Sequence, residues 1–121
     1  MGVFGVQGVI APVSPVEASK GQIEGKDKAI LALIDSLVAC ESGNRWNIRV
    51  LDTNNRYSYG GLQFQMDTFI RYNRLYKVLP DMEDSEALNA IYDEWTQREL
   101  AYHILEDGGF YNWKNCYDHQ L

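Results

Sequence analysis

Apolar residues recur at helical spacing from about residue 30 onward. They stand three and four positions apart, which keeps one face of an α-helix apolar: Ile30, Leu33, Ile34, Leu37 and Val38. Asp27 precedes them as a candidate N-cap, and Ser42-Gly43 follows Cys40-Glu41. The pattern predicts a helix that ends near Glu41, with Gly43 in the left-handed cap conformation.

The next segment, residues 44–60, has no helical period. Its β-forming residues flank the polar run Asp52-Thr53-Asn54-Asn55, and they are Trp46, Ile48, Val50, Tyr57 and Tyr59. A polar turn between two β-forming runs predicts a hairpin or a short sheet. Gly60-Gly61 then marks the return of the chain toward a second helix.

Two more helices are predicted in the C-terminal half. One runs from Met66 or Asp67 to Lys77. The other is capped by Ser85 or Asp84 and stopped by Gly108-Gly109. Its predicted apolar side comprises Leu88, Ile91, Tyr92, Trp95, Leu100, Ile104 and Leu105. The fold class is therefore α+β: a small, mostly helical domain with a short β-hairpin after the first helix.

The N-terminal segment reads differently from the rest. Residues 2–16 are apolar and uncharged, and small residues stand at Val16 and Ala18, where a signal peptidase reads its substrate. A basic stretch before the apolar run is missing, so residues 1–25 are either a leader remnant or a flexible linker. Residues 26–121 form one predicted domain, since a chain of 121 residues has the size of a single domain.

Composition and charge exclude several classes of protein. Hydrophobic residues make up 45% of the chain, which is enough for a core and argues against disorder. Seventeen acidic and 11 basic residues give a net charge of −6, and no basic stripe is present. A nucleic-acid partner is therefore not expected. No apolar stretch is long enough to span a membrane.

The two cysteines, Cys40 and Cys116, stand far apart in the sequence, and the chain has only two histidines. A zinc site needs about four closely spaced ligands, so we predict neither a metal nor another cofactor. Spacing alone leaves two outcomes open, which are separate buried thiols or one long-range disulfide in an oxidising compartment.

Glu41 is the candidate for chemistry. Cleavage of a glycosidic bond needs a proton donor to the leaving oxygen, and a carboxyl group serves when burial raises its pKa. A glutamate at a helix end, facing a hairpin, is well placed for this role. Gly60 and Gly61 would let the backbone approach a sugar, and Gln63 offers both a donor and an acceptor.

The ordered set of residues from 38 to 69 resembles the resuscitation-promoting-factor family, a branch of the lysozyme and lytic-transglycosylase fold. That family carries a pattern close to CESGGNW, a polar β turn, YGGLQF and a Thr-Trp pair. The matching residues are Cys40, Glu41, Ser42, Gly43, Trp46, Tyr59, Gly60, Gly61, Leu62, Gln63, Phe64, Thr68 and Phe69. The closing Trp113 and Cys116 extend the likeness to roughly residues 28–117.

The resemblance implies a lysozyme-like domain that cleaves peptidoglycan between N-acetylmuramic acid and N-acetylglucosamine, with Glu41 as the catalytic acid. It implies a disulfide between Cys40 and Cys116 and a secreted or wall-associated monomer. The expected sugar-binding residues are Trp46, Tyr59, Gly61, Gln63, Thr68 and Phe69. A lytic transglycosylase is favoured, because that reaction needs only one carboxyl group.

The chain departs from the family pattern in ways that keep alternatives open. The segment between Trp46 and Tyr59 is longer and carries Asp52, while Phe69 replaces a tryptophan and residues 77–84 do not match closely. Asp52 is either a turn residue or the second carboxylate of a hydrolytic muramidase. A non-catalytic peptidoglycan-binding module and a phage virion lysin are the remaining alternatives.

Overall fold

A computed structural model describes residues 25–119, so the predicted leader or linker lies almost wholly outside the described residues. The α-helices are α1 (Lys28–Ser42), α2 (Met66–Tyr76), α3 (Asp84–Ala90), α4 (Glu94–Glu106) and α5 (Lys114–Asp118). The strands are β1 (Arg49–Leu51), β2 (Tyr57–Tyr59) and β3 (Phe64–Gln65), and a 3-10 helix spans Phe110–Trp113. This mixture of helices and one small sheet confirms the α+β class.

The first helix begins and ends as its sequence predicts. The Asp27 side chain accepts hydrogen bonds from the backbone N–H groups of Ala29 and Ile30 at 2.7 and 3.3 Å. These bonds satisfy donors that have no partner inside the helix. Gly43 takes the left-handed conformation with φ of 64°; its N–H donates to the Ala39 carbonyl, and the N–H of Asn44 donates to the Val38 carbonyl. Glu41 therefore sits in the last turn of α1.

The predicted hairpin is present and belongs to a three-stranded antiparallel sheet in the order β1-β2-β3. Its turn is closed by the Asp52 N–H, which donates to the Arg56 carbonyl at 2.8 Å. Strand β3 pairs with β2 by placing Phe64 opposite Tyr59. Only two residues long, β3 is too short to show a periodic pattern in the sequence.

The prediction of one long third helix is wrong, because the chain breaks it into α3 and α4. Asp93 caps α4, and its carboxylate accepts from the N–H and hydroxyl of Thr96 at 2.9 and 2.6 Å. The Ile91 carbonyl accepts from the Gln97 side chain at 2.6 Å. Leu88 is 48% exposed, so it does not belong to the apolar side, and the N-cap of α3 is Glu83.

The core lies where α1, α2 and α4 meet the sheet and the C-terminal segment. Its fully buried residues include Leu37, Leu62, Phe69, Leu100 and Ile104. Trp113 docks the C-terminal segment, since its ring N–H donates to the Leu62 carbonyl at 2.8 Å. A disulfide joins Cys40 to Cys116, tying the end of α1 to α5. None of the helices between residues 25 and 119 is both long and apolar enough to cross a membrane.

Candidate functional site

A cleft of about 300 Å³ lies between the end of α1, the sheet, the start of α2 and the 3-10 helix. Its lining residues are mostly polar, and they are Glu41, Asp52, Ser58, Gln63, Phe64, Gln65, Thr68, Asn112 and Trp113. Glu41 and Trp113, more than 70 positions apart in the sequence, thus share one site. Two carboxylates and no Lys, Arg or His belong to this lining.

Glu41 enters the cleft from the last turn of α1 and is half-buried. Burial raises the pKa of its carboxyl group from 4.5 to about 6, and the nearby negative charge of Asp52 adds to the rise. Both effects disfavour the ionised form. A carboxylic acid with this pKa holds its proton in mildly acidic solution and can still lose it near neutrality. Such a group suits general acid and base chemistry.

Asp52 enters the same cleft from the hairpin turn that follows β1. Its carboxylate accepts hydrogen bonds from the Ser58 hydroxyl and from the Gln65 side-chain amide, the latter at 2.9 Å. The Gln65 amide also donates to the Asn54 side chain at 3.2 Å. These donors fix the orientation of the Asp52 carboxylate.

Gln63 has an unusual backbone, with φ of 55° in a region that side-chain-bearing residues seldom adopt. Its side-chain amide donates to the Gly60 carbonyl at 2.8 Å and holds the turn between β2 and β3. The amide oxygen can still accept a hydrogen bond. Thr68 lies in the first turn of α2 and also lines the cleft, so these two predicted sugar-binding residues are brought together with Glu41.

The other four predicted sugar-binding residues do not line the cleft. Phe69 is completely buried and Tyr59 nearly so, because both pack in the core. A ring enclosed by protein has no face to offer a sugar, so the prediction fails for both. Trp46 packs over Gly61, where a Cβ atom would lie 2.5 Å from the indole ring. Gly61 is therefore required for this packing, and it does not belong to the lining of the cleft.

Five lining residues were not predicted from the sequence, namely Ser58, Phe64, Gln65, Asn112 and Trp113. Side chains alternate between the two faces of a strand, so Ser58 points to the face of β2 opposite to Tyr57 and Tyr59. This alternation could have identified Ser58 from the sequence. Asn112 and Trp113 reach the cleft only through the docking of the C-terminal segment. No local pattern predicts that contact.

No protein family, no curated protein and no solved structure matches the chain. Residues 25–119 also contain no group of three or more His, Cys, Asp or Glu side chains able to hold a metal ion.

Proposed function

We propose that this protein cleaves the glycan strands of peptidoglycan between N-acetylmuramic acid and N-acetylglucosamine, with Glu41 as the catalytic acid. The observation that carries the proposal is the position of Glu41, half-buried in a polar cleft with a pKa of about 6. The amide and hydroxyl groups of Gln63, Gln65, Thr68 and Asn112 suit the hydroxyl and N-acetyl groups of amino sugars.

The same proposal includes a lysozyme-like fold, as the resemblance to resuscitation-promoting factors implies. A helix that ends in the candidate acid, followed by a small sheet and helices, supports this view. Action outside the cytoplasm belongs to the proposal as well, because a disulfide persists in oxidising compartments. A peptidoglycan substrate lies in such a compartment.

In the favoured route, the Glu41 carboxyl group protonates the glycosidic oxygen as the bond to C1 of the muramyl residue breaks. The resulting carboxylate then takes the proton from the muramyl 6-hydroxyl, whose oxygen attacks C1. The products are a 1,6-anhydro end and a free 4-hydroxyl group. One carboxyl group serves both steps, which makes the protein a lytic transglycosylase.

A hydrolytic muramidase is the second candidate. It is favoured by the Asp52 carboxylate, whose orientation is fixed by hydrogen bonds. Asp52 shares the cleft with Glu41 and is oriented by Ser58 and Gln65. A second carboxylate activates water or stabilises the positive charge that develops at C1. The two routes share Glu41 and differ in what attacks C1.

Analysis of the soluble products separates these routes. Purified peptidoglycan is incubated with the protein and the muropeptides are resolved by chromatography and mass spectrometry. Anhydro ends, lighter by one water than reducing ends, indicate the transglycosylase. Asp52→Asn should leave anhydro products intact but abolish reducing-end products. Asp67→Asn is the matched control, since it removes an exposed carboxylate of α2. Binding to insoluble peptidoglycan with no soluble product would refute both routes and leave a binding module.

A further inference from the structure

A second depression, of about 290 Å³, lies beside the candidate cleft, between α2, the end of α4 and the 3-10 helix. We call it the tyrosine pocket, and it is defined here by Tyr72, Tyr76, Asp107 and Tyr111. The Asn112 side chain lines the cleft and donates to the Tyr72 hydroxyl at 3.1 Å. Asn112 therefore links the two depressions.

Helix α2 also connects them. Thr68 lines the cleft, whereas Tyr72 and Tyr76 line the tyrosine pocket at successive steps of four residues. Residues at this spacing lie on one face of a helix, and each step advances about 6 Å along its axis. One face of α2 therefore runs from the cleft into the tyrosine pocket. An extended polymer that leaves the cleft past Asn112 would meet this pocket.

The aromatic rings of the tyrosine pocket stack on neighbouring rings or contact them through hydroxyl groups. Tyr72 and Tyr76 stack nearly parallel with centroids 6.0 Å apart, and Tyr76 stacks on His103 at 4.9 Å. The Tyr111 hydroxyl lies 3.4 Å from the Tyr72 hydroxyl, yet the Tyr111 side chain remains 64% exposed. An exposed ring that is anchored through its hydroxyl group loses little freedom when a ligand covers it.

The polar groups of the pocket match an N-acetylated sugar. Asp107 accepts from the Tyr76 hydroxyl at 2.6 Å and, as a carboxylate, can accept further hydrogen bonds from sugar hydroxyl or acetamido N–H groups. The Tyr111 ring offers an apolar surface for the C–H face of a pyranose. Leu75, which is 65% exposed, adds to that surface.

We propose that the tyrosine pocket is an outer subsite that binds a further N-acetylated sugar of the strand held in the cleft. This inference rests on the proposed function and adds that longer strands bind more tightly than short ones.

The test measures binding in the Glu41→Gln background, where no turnover interferes. The probes are the trimer and the hexamer of N-acetylglucosamine, titrated by calorimetry. We expect the hexamer to bind about tenfold more tightly than the trimer. Tyr111→Ala should abolish that advantage and leave trimer affinity unchanged. Phe110→Ala is the matched control, because Phe110 lies in the same 3-10 helix but stacks on Tyr117, at 4.7 Å.

Three results would overturn the inference. One is equal affinity for trimer and hexamer before Tyr111 is changed. Another is an equal loss of the hexamer's affinity advantage in Tyr111→Ala and in Phe110→Ala. The third is self-association that sedimentation detects in the parent and that Tyr111→Ala removes, which would assign the patch to a second copy of the chain. Failure of both oligomers to bind any variant would instead refute the proposed function itself.

Discussion

Replacing Glu41 with glutamine should stabilise the protein at neutral pH and leave its stability unchanged in acid. The pKa of Glu41 rises from 4.5 to about 6 on folding, mainly because burial disfavours the charged form. A tenfold change in proton affinity is worth about 1.4 kcal/mol, so ionised Glu41 costs the folded state at most about 2 kcal/mol. Solvent screens this half-buried group, which reduces the expected cost to about 1 kcal/mol.

The sign of the pH dependence follows from linkage. Below pH 4.5 Glu41 is protonated in the folded and unfolded states, so the cost is absent. Protonated Glu41 thus favours the folded state, and this stabilisation is lost as the pH rises from 4.5 through the folded-state pKa of about 6. Glutamine resembles the neutral acid and cannot ionise. Glu41→Gln should therefore be more stable than the parent by about 1 kcal/mol at pH 7.5, which raises Tm by about 4–8 °C in a domain of this size.

Urea unfolding at pH 4 and pH 7.5 measures the effect without any need for activity. Glu106→Gln serves as the control, because it removes an exposed carboxylate of α4 and corrects for the loss of one negative charge. An equal change in the free energy of unfolding at both pH values on Glu41→Gln would refute a cost from the ionised carboxylate. A loss of stability at pH 7.5 alone would contradict it more strongly, because the buried charge would then be favourable.

Three further predictions concern the site and the fold. The value of kcat/KM on glycan should fall about tenfold per pH unit above about pH 6, and Asp52→Asn should move that limb to lower pH in a pH–rate profile. Cys40→Ser should lower the free energy of unfolding in urea by about 4–5 kcal/mol, because the disulfide closes a long loop. Gly61→Ala should cost about 1–3 kcal/mol by overpacking, and Trp46→Phe in the same chain should recover part of that loss.

The outcomes that contradict these three differ. A pH–rate profile that is the same in Asp52→Asn and in the parent would show that the charge of Asp52 does not raise the pKa of Glu41. Equal stability of Cys40→Ser and the parent under non-reducing conditions would argue against the disulfide. A purely additive double-mutant cycle for Gly61 and Trp46 would show that the two residues are not coupled.

Local signals in the sequence were sufficient for the end of α1 and for the placement of Glu41. The Asp27 cap, the apolar period and Gly43 all act within a few residues, and the structure uses each of them. The same holds for the hairpin, where polar residues around Asp52 make the turn between β1 and β2. A helix end and a hairpin turn depend on the backbone preferences of a few residues that are adjacent in the sequence.

The break between α3 and α4 depends on contacts that no local pattern contains. Gln97 is fully buried, and its side chain bonds the Leu62 N–H and the Tyr59 carbonyl, 35 and 38 positions away. The Gln97 side-chain amide also donates to the Ile91 carbonyl, which in a continuous helix would accept from a backbone N–H of the next turn. In the sequence, Gln97 stands beside Thr96, Arg98 and Glu99, and nothing there distinguishes it from an exposed polar residue.

The assignment of aromatic residues to the sugar site failed for a related reason. An aromatic side chain near a candidate acid suits either a core or a binding face, and the sequence does not say which side of the strand or helix faces the cleft. Tyr59 and Phe69 went to the core, whereas Trp113 reached the cleft from the C-terminal segment. Gln63 and Thr68, for which sugar binding was also predicted, do line the cleft.

The central claim is that Glu41 donates the proton that breaks a glycan strand, and the release of soluble muropeptides from purified peptidoglycan tests it most directly. The parent protein and Glu106→Gln should release them at similar rates, whereas Glu41→Gln should release none above background while still binding the insoluble polymer. Undiminished release by Glu41→Gln would contradict the account, because the cleavage would then proceed without its only proposed acid.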